Sequence, residues 1–257
     1  MFSKSCIFAL TGGISLACGG IAQAQLSAYQ QNFETLDRAN PDALTNDGYD
    51  LFVNVFDSTG TVIQYGYGPF DAPNNINNPN ISVISESSQA PVGAQGLVIL
   101  SDYNNSGAQT AGNRIEVNVF QQQTIGANDI GDTYRFTFTA APVLNDSGEN
   151  VLLGTDTTTQ AFIKTLDPAS GFATTNFITQ DTTFLTAGNT TFTLDIDLSD
   201  PLLAGQLLQF GFANTASNYE PSGVNYDDVS FAIVPEPASL AMLGIGGLLL
   251  IQRRGRD

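Results

Sequence analysis

Apolar and polar residues alternate along most of this chain with the two-residue period of a half-buried strand. Ile115, Val117 and Val119 alternate with Glu116 and Asn118, and Tyr134, Phe136 and Phe138 with Arg135, Thr137 and Thr139. Phe192, Leu194, Ile196 and Leu198 alternate in the same way with Asp195 and Asp197. Further strands are predicted from Tyr49 to Phe56, Thr61 to Tyr67, Gly96 to Ser101, Gln160 to Leu166, Thr174 to Thr179, Leu207 to Phe212 and Val224 to Ile233. About ten short strands broken by Gly, Asn, Asp and Pro turns predict an all-β chain, folded as a single antiparallel β-sandwich. Asp71 to Asn80, rich in asparagine and proline, is predicted as a long polar loop. No internal repeat is evident, which argues against a solenoid.

The two ends break the alternation, and helix is predicted only there. Met1 to Ala24 carries one basic residue, Lys4, then an apolar stretch from Cys6 to Ala17 and the small-residue ending Ala22-Gln23-Ala24. That order is the order of a secretory signal peptide, with cleavage after Ala24. Cys18 offers a lipoprotein-type alternative, but its leucine, Leu16, sits two residues upstream and not three. At the other end Val234-Pro235-Glu236-Pro237-Ala238 leads into an apolar run from Ser239 to Ile251, then Arg253-Arg254-Gly255-Arg256. The run falls short of the ~20 apolar residues that span a bilayer comfortably, which favours a processed segment over a permanent anchor. The chain therefore divides into a signal peptide (1–24), a β-sandwich ectodomain (25–233) and a C-terminal sorting segment (234–257).

This tail resembles the PEP-CTERM sorting signal of Gram-negative bacteria, in which a Pro-Glu-Pro motif, a hydrophobic segment and an arginine cluster follow one another. The resemblance implies that Pro235, Glu236 and Pro237 are the residues read by an exosortase, and that Arg253, Arg254 and Arg256 form the cytoplasmic stop. It further implies export across the inner membrane, transient residence there through the C-terminal helix, and delivery to the outer surface or the medium.

Charge and missing residue types narrow the chemistry. The formal charge is -17, with 8 basic against 25 acidic residues. A nucleic-acid partner is excluded on that balance, since binding a polyanion requires clustered Lys and Arg. Cations, neutral polymers and basic proteins remain. There is no histidine, and both cysteines, Cys6 and Cys18, lie in the segment expected to be removed. Imidazole bases, Ser-His-Asp triads, cysteine nucleophiles, structural disulfides and His/Cys zinc sites are all excluded from the remainder. An enzyme would be left with a carboxylate pair of the glycosidase kind, for which Asp195 and Asp197 are the candidates. The expectation is a chain that is not an enzyme.

Asn32-Phe33-Glu34 near the start of the ectodomain and Val224 to Phe231 at its finish resemble the first and last strands of carbohydrate-binding-module jelly rolls, the galactose-binding-like sandwiches. The resemblance implies a jelly roll with a structural calcium held by Glu34 and Asp228, with Asp37 or Asp227 nearby. Calcium favours several hard oxygen ligands, so acids from both chain ends could clip the sandwich shut. The residues alone equally allow solvated acids flanking edge strands. Asp42, Asn46, Asp47, Gly48 and Asp50 lack the spacing of a calcium loop and read as a turn with Asx caps. Tyr65, Tyr67 and Phe70, bracketing glycines, are the candidate sugar-stacking residues, against the alternative that they fill the core. Two functions follow: an exported non-catalytic protein associated with extracellular polysaccharide or biofilm matrix, or an exported glycan-active enzyme.

Overall fold

A computed structural model describes residues 25–77, 80–86, 90–143, 153–185 and 188–235. Among them the order of elements is β1 (Tyr29–Gln31), α1 (Ala43–Asn46), β2 (Asp50–Phe56), β3 (Ile63–Asp71), β4 (Ser82–Glu86), β5 (Gln95–Ile99), α2 (Ser106–Thr110), β6 (Arg114–Thr124), β7 (Thr133–Pro142), β8 (Thr158–Asp167), β9 (Ala173–Asp181), β10 (Thr190–Asp197), β11 (Leu207–Ala216) and β12 (Val224–Ile233). The strands form two six-stranded sheets with antiparallel pairing throughout. Sheet A runs β10-β7-β12-β5-β4, with β1 also paired to β12, and sheet B runs β3-β2-β6-β11-β8-β9. The antiparallel sandwich predicted from alternation is therefore the fold.

Each predicted strand has its counterpart, with ends displaced by a few residues. Two strands escape the pattern. β1 is only three residues long, and β4 (Ser82–Glu86) follows the asparagine-rich segment without a turn signal of its own. The helices α1 and α2, four and five residues long, correct the expectation of no helix in the ectodomain. They are single turns, too short to show a 3.6-residue period. The helices expected at the two termini lie outside the described residues. Within the described residues no helix is long and apolar enough to cross a membrane.

The core lies between the sheets. Leu51, Val53 and Val55 of β2, Ile115, Val117 and Val119 of β6, and Leu208, Phe210 and Phe212 of β11 face Phe136 and Phe138 of β7 and Val224, Tyr226 and Phe231 of β12, all buried. With no tryptophan in the chain, phenylalanine and tyrosine supply the bulk. Phe210 stacks on Phe231 with ring centroids 4.3 Å apart, and Phe212 on Tyr226 at 3.8 Å. Phe136 completes the ladder at 5.4 Å from Phe210 and 5.6 Å from Phe212. Such pairs add about 0.5–1.5 kcal/mol each beyond their buried area and hold the sheets in one relative position.

The polar loop is more than a spacer. Asn74 is buried; its Nδ2 donates to the carbonyls of Arg38 and Asn40, and its Oδ1 accepts from Ile84 N. One side chain thus ties the segment after β1, the segment after β3, and β4 together.

Candidate functional site

β12 changes neighbours halfway along. Asn225 and Tyr226 pair with β5, whereas Val229, Ser230 and Phe231 pair with β1. Between them, β12 bulges at Asp227 and Asp228, and Asp228 adopts a positive φ of 45°. A bulge of this kind re-aims side chains at the join between two partners. Asp227 turns inward and is fully buried, its Oδ2 accepting from Val92 N at 3.0 Å and its Oδ1 from Asp228 N at 2.7 Å. Glu34, just after β1, reaches the same loop from the other side, its Oε1 accepting from Ala94 N at 2.7 Å and Gln95 N at 2.9 Å. Two carboxylates from opposite ends of the fold therefore clasp the segment 92–95. Burial pushes the Asp227 carboxyl up to about 6, and repulsion from Asp228 and Glu34 adds to the shift.

Of the four expected cation ligands, Glu34 and Asp227 come together. Asp228 is adjacent but exposed on the bulge. Asp37 is exposed and accepts from Ala39 N within its own turn. Among the described residues, no three acidic side chains gather closely enough to hold a metal. The buried Gln95 Oε1 accepts no hydrogen bond, although Gln95 Nε2 donates to the Glu34 carbonyl at 3.0 Å. The donor set at this join is thus all oxygen, two carboxylates plus an orphaned amide carbonyl, which fits a hard cation in chemistry and falls short of a carboxylate cage in number.

The acidic turn around α1 serves β1. Asp47 accepts from Tyr29 Oη at 2.5 Å and from Gln31 Nε2 at 2.7 Å, so its carboxylate pins the first strand. The Asx-cap reading does not hold for Asp47.

A second group of residues lies on β3, one edge of sheet B. Tyr65 and Tyr67 are two residues apart on one face and stack with centroids 6.2 Å apart at 26°. Tyr65 is 45 % exposed, Tyr67 packs partly against the core, and Phe70 is 56 % exposed. Polar groups from the neighbouring loop and α2 cap fix the phenols: Asn105 Nδ2 donates to Tyr65 Oη at 2.9 Å, and Tyr67 Oη donates to Asp102 Oδ2 at 2.5 Å. Burial and the Asp102 carboxylate push the Tyr67 phenol well above its ordinary value, so it stays a neutral donor. Val62 and Ile63, at the start of the strand, are more than half exposed.

The carboxylate pair considered for catalysis is otherwise engaged. Arg135 Nε and Nη2 grip both oxygens of Asp195 at 2.7 and 2.8 Å, which holds that carboxyl below its usual range. Asp197 Oδ1 accepts from Ser199 N. A carboxylate held ionised by a bidentate guanidinium cannot serve as a general acid near neutrality.

Sequence alternation left one cluster unnoticed, on the outer face of sheet B. Phe120, Phe162 and Ala213 are buried there with Phe52 packed against them. The Lys164 amine lies 4.7 Å from the centroid of Phe162 and 5.6 Å from that of Phe120. Asn54 and Asn118 both donate to Glu116 Oε1, and Gln209 Nε2 donates to Gln122. The available signal was that β6 and β8 carry large apolar residues on both faces.

Comparison with known proteins adds an address and some distant likenesses. Residues 234–256 match the family model of the PEP-CTERM protein-sorting motif. No curated protein matches. Among solved structures, the enzymatically active domain of tailspike protein 4 from bacteriophage CBA120 shares 15% identity at TM-score 0.39, over 60% of this chain and 18% of that one. A cyclase from Fischerella sp. TAU shares 14% at 0.40, over 81% of this chain and 98% of that one. The xylan-binding domain of Paenibacillus barcinonensis Xyn10C shares 11% at 0.38, over 84% and 99% respectively. This chain thus carries a PEP-CTERM sorting motif behind a β-sandwich.

Proposed function

We propose that this chain is an exported, surface-sorted, non-catalytic protein that holds neutral polysaccharide of the extracellular matrix along the β3 edge. The observation that carries the reading is the exposed Tyr65–Tyr67 stack with polar atoms of Asn105 and Asp102 fixed beside it. Aromatic faces pack on the apolar faces of sugar rings while neighbouring amide and carboxylate groups take the hydroxyls, which is how a small, orientation-specific site is built. Phe70 extends the platform along the strand. A net charge of -17 selects a neutral chain over an acidic one.

Affinity electrophoresis of the full-length chain through gels loaded with soluble glucans, xylans, mannans or alginate tests this. Retardation is expected on a neutral polymer and not on alginate, and Tyr65→Ala should abolish it without lowering the melting temperature, because Tyr65 is half outside the fold. Unretarded migration through every neutral polymer would overturn the reading.

A structural cation at the β12 bulge belongs to the same proposal. Glu34, Asp227 and Gln95 Oε1 would supply its oxygens with Asp228 beside them, and it would relieve the repulsion that the buried Asp227 carries. Melting with and without a chelator is the measurement, and an unchanged midpoint would remove the cation while leaving the glycan platform standing.

A further inference from the structure

We propose that the outer edge of β9 pairs with the same edge of a second copy of this chain, joining two sandwiches through one continuous sheet. An edge strand presents a row of unpaired amide and carbonyl groups, and natural sheets blunt that liability with charge, proline, bulges or short length. Of the five sheet edges among the described residues, β1 has only three residues, and three of the other four are blunted as well. β3 carries Pro69, which lacks a donor for a further strand, and two register shifts. β4 has only five residues and ends on Glu86. β10 carries Asp195 and Asp197.

β9 has little of this protection. From Pro168 to Leu194 the chain contains a single charged residue, Asp181, although the whole carries a formal charge of -17. Two copies approaching by β10 would bring Asp195 and Asp197 together, whereas the one acid of β9, Asp181, stands at the end of the strand. No strand pairs with the outer side of β9 among the described residues. Its one irregularity is the register shift against β8 between Thr165 and Leu166, which confines regular pairing to Asn176 onward.

The exposed aromatics single out the partner. Phe172, Phe177 and Phe184 are 59%, 56% and 87% exposed. Phe172 and Phe184 lie equally far in sequence on either side of Ile178. An antiparallel pairing with its two-fold axis at Ile178 sets Phe177 opposite Thr179 and Asn176 opposite Gln180 of the second copy. It also directs Phe172 of each copy toward Phe184 of the other. A self-complementary arrangement of this kind closes as a two-fold dimer and leaves no further edge to extend. Hydrogen bonds along the strand give the register, and the burial of these phenylalanines supplies apolar area that strand pairing alone would lack.

Light scattering and sedimentation of the full chain in detergent, across a concentration series, provide the test. A reversible dimer is expected for the wild type. The double variant Phe177→Lys/Thr179→Lys, which sets lysines opposite one another, should be monomeric yet still melt cooperatively, at a lowered midpoint because Phe177 also packs on Phe162 beside Lys164. Phe172→Ser/Phe184→Ser removes only exposed rings and should weaken the dimer by about tenfold or more. Ile63→Lys on the opposite edge should leave it intact. A wild-type chain that stays monomeric at every concentration, or a dimer that survives the paired lysines, would overturn the proposal.

Discussion

The two edges of sheet B are built to opposite specifications. β3 is irregular: glycines at 66 and 68, a proline at 69 and two register shifts make it a poor template for a further strand, and Tyr65 and Phe70 are half-exposed beside fixed polar groups. β9 is nearly uncharged and regular from Asn176 onward, with phenylalanines flanking it. An edge that cannot be extended is free to present side chains to a ligand, while an edge that can be extended offers its backbone. The contrast locates the two proposed contacts of this protein on opposite margins of one sheet, so that each can be disturbed without the other.

That separation presupposes a shared core, and the largest expected effect comes from breaking it. Phe210 sits on β11 near the middle of sheet B, stacked on Phe231 and touching Phe136 and Tyr29. Phe210→Ala should cost about 3–5 kcal/mol, read as a lower denaturation midpoint, because the cavity opens between two sheets that cannot close independently. Both edges should loosen together. A loss below about 1 kcal/mol would mean that the edges do not depend on one core.

A glycine at each edge sharpens the difference. At Gly68, with φ at +123°, an added Cβ would lie 2.7 Å from the Leu51 carbonyl oxygen of β2. At Gly171, in the turn before β9, φ is +68° and nothing lies within 4 Å of the added atom. Gly68→Ala should therefore cost about 2 kcal/mol or more and spoil the β3 platform, since backbone must shift as well as adopt a disfavoured region. Gly171→Ala meets only the left-handed penalty, about 1 kcal/mol, and should spare β9. Thermal melts of the two variants decide it, and equal losses would mean that β3 is as forgiving as β9.

How much of this was legible follows from what each feature depends on. Strands that bury one face announce themselves by alternation, as Ile115-Glu116-Val117-Asn118-Val119 does, because the period belongs to the backbone itself. That Tyr65 and Tyr67 share a face follows from the same period, whereas the half-exposure of Tyr65 depends on β3 being a sheet edge, which the period does not reveal. The burial of Asp227 was not legible, since it depends on a bulge where β12 exchanges β5 for β1, and nothing local in Tyr226-Asp227-Asp228-Val229 reveals which acid turns inward. The resemblance paired Glu34 with Asp228; the geometry instead buries Asp227 beside the segment that Glu34 holds and leaves Asp37 in a turn of its own. The outer cluster of Phe120 and Phe162 was hidden because alternation assigns each strand one apolar face, and these residues occupy the other.

That outer face carries the smallest of the expected effects and extends the contrast from the edges to the surface between them. Lys164 lies on the β9 side, opposite Phe177 and over Phe120 and Phe162, whereas Asp50 and Asp71 face each other across β2 and β3. Burial of the amine pushes Lys164 down to about 8, only partly opposed by the attraction of Glu116. Between about pH 8 and the ordinary lysine value near 10.4 the unfolded chain therefore binds more protons than the folded one, and stability should rise with pH through that window. The gain should be on the order of 1 kcal/mol, because the amine keeps some contact with solvent and its attraction to the rings favours the charged form. Lys164→Met keeps the apolar contact and removes the proton, so its stability should be flat over the same window. A wild-type profile as flat as that of the variant would place the amine in water, clear of the rings, and make the β9 side of the face no different from the β3 side.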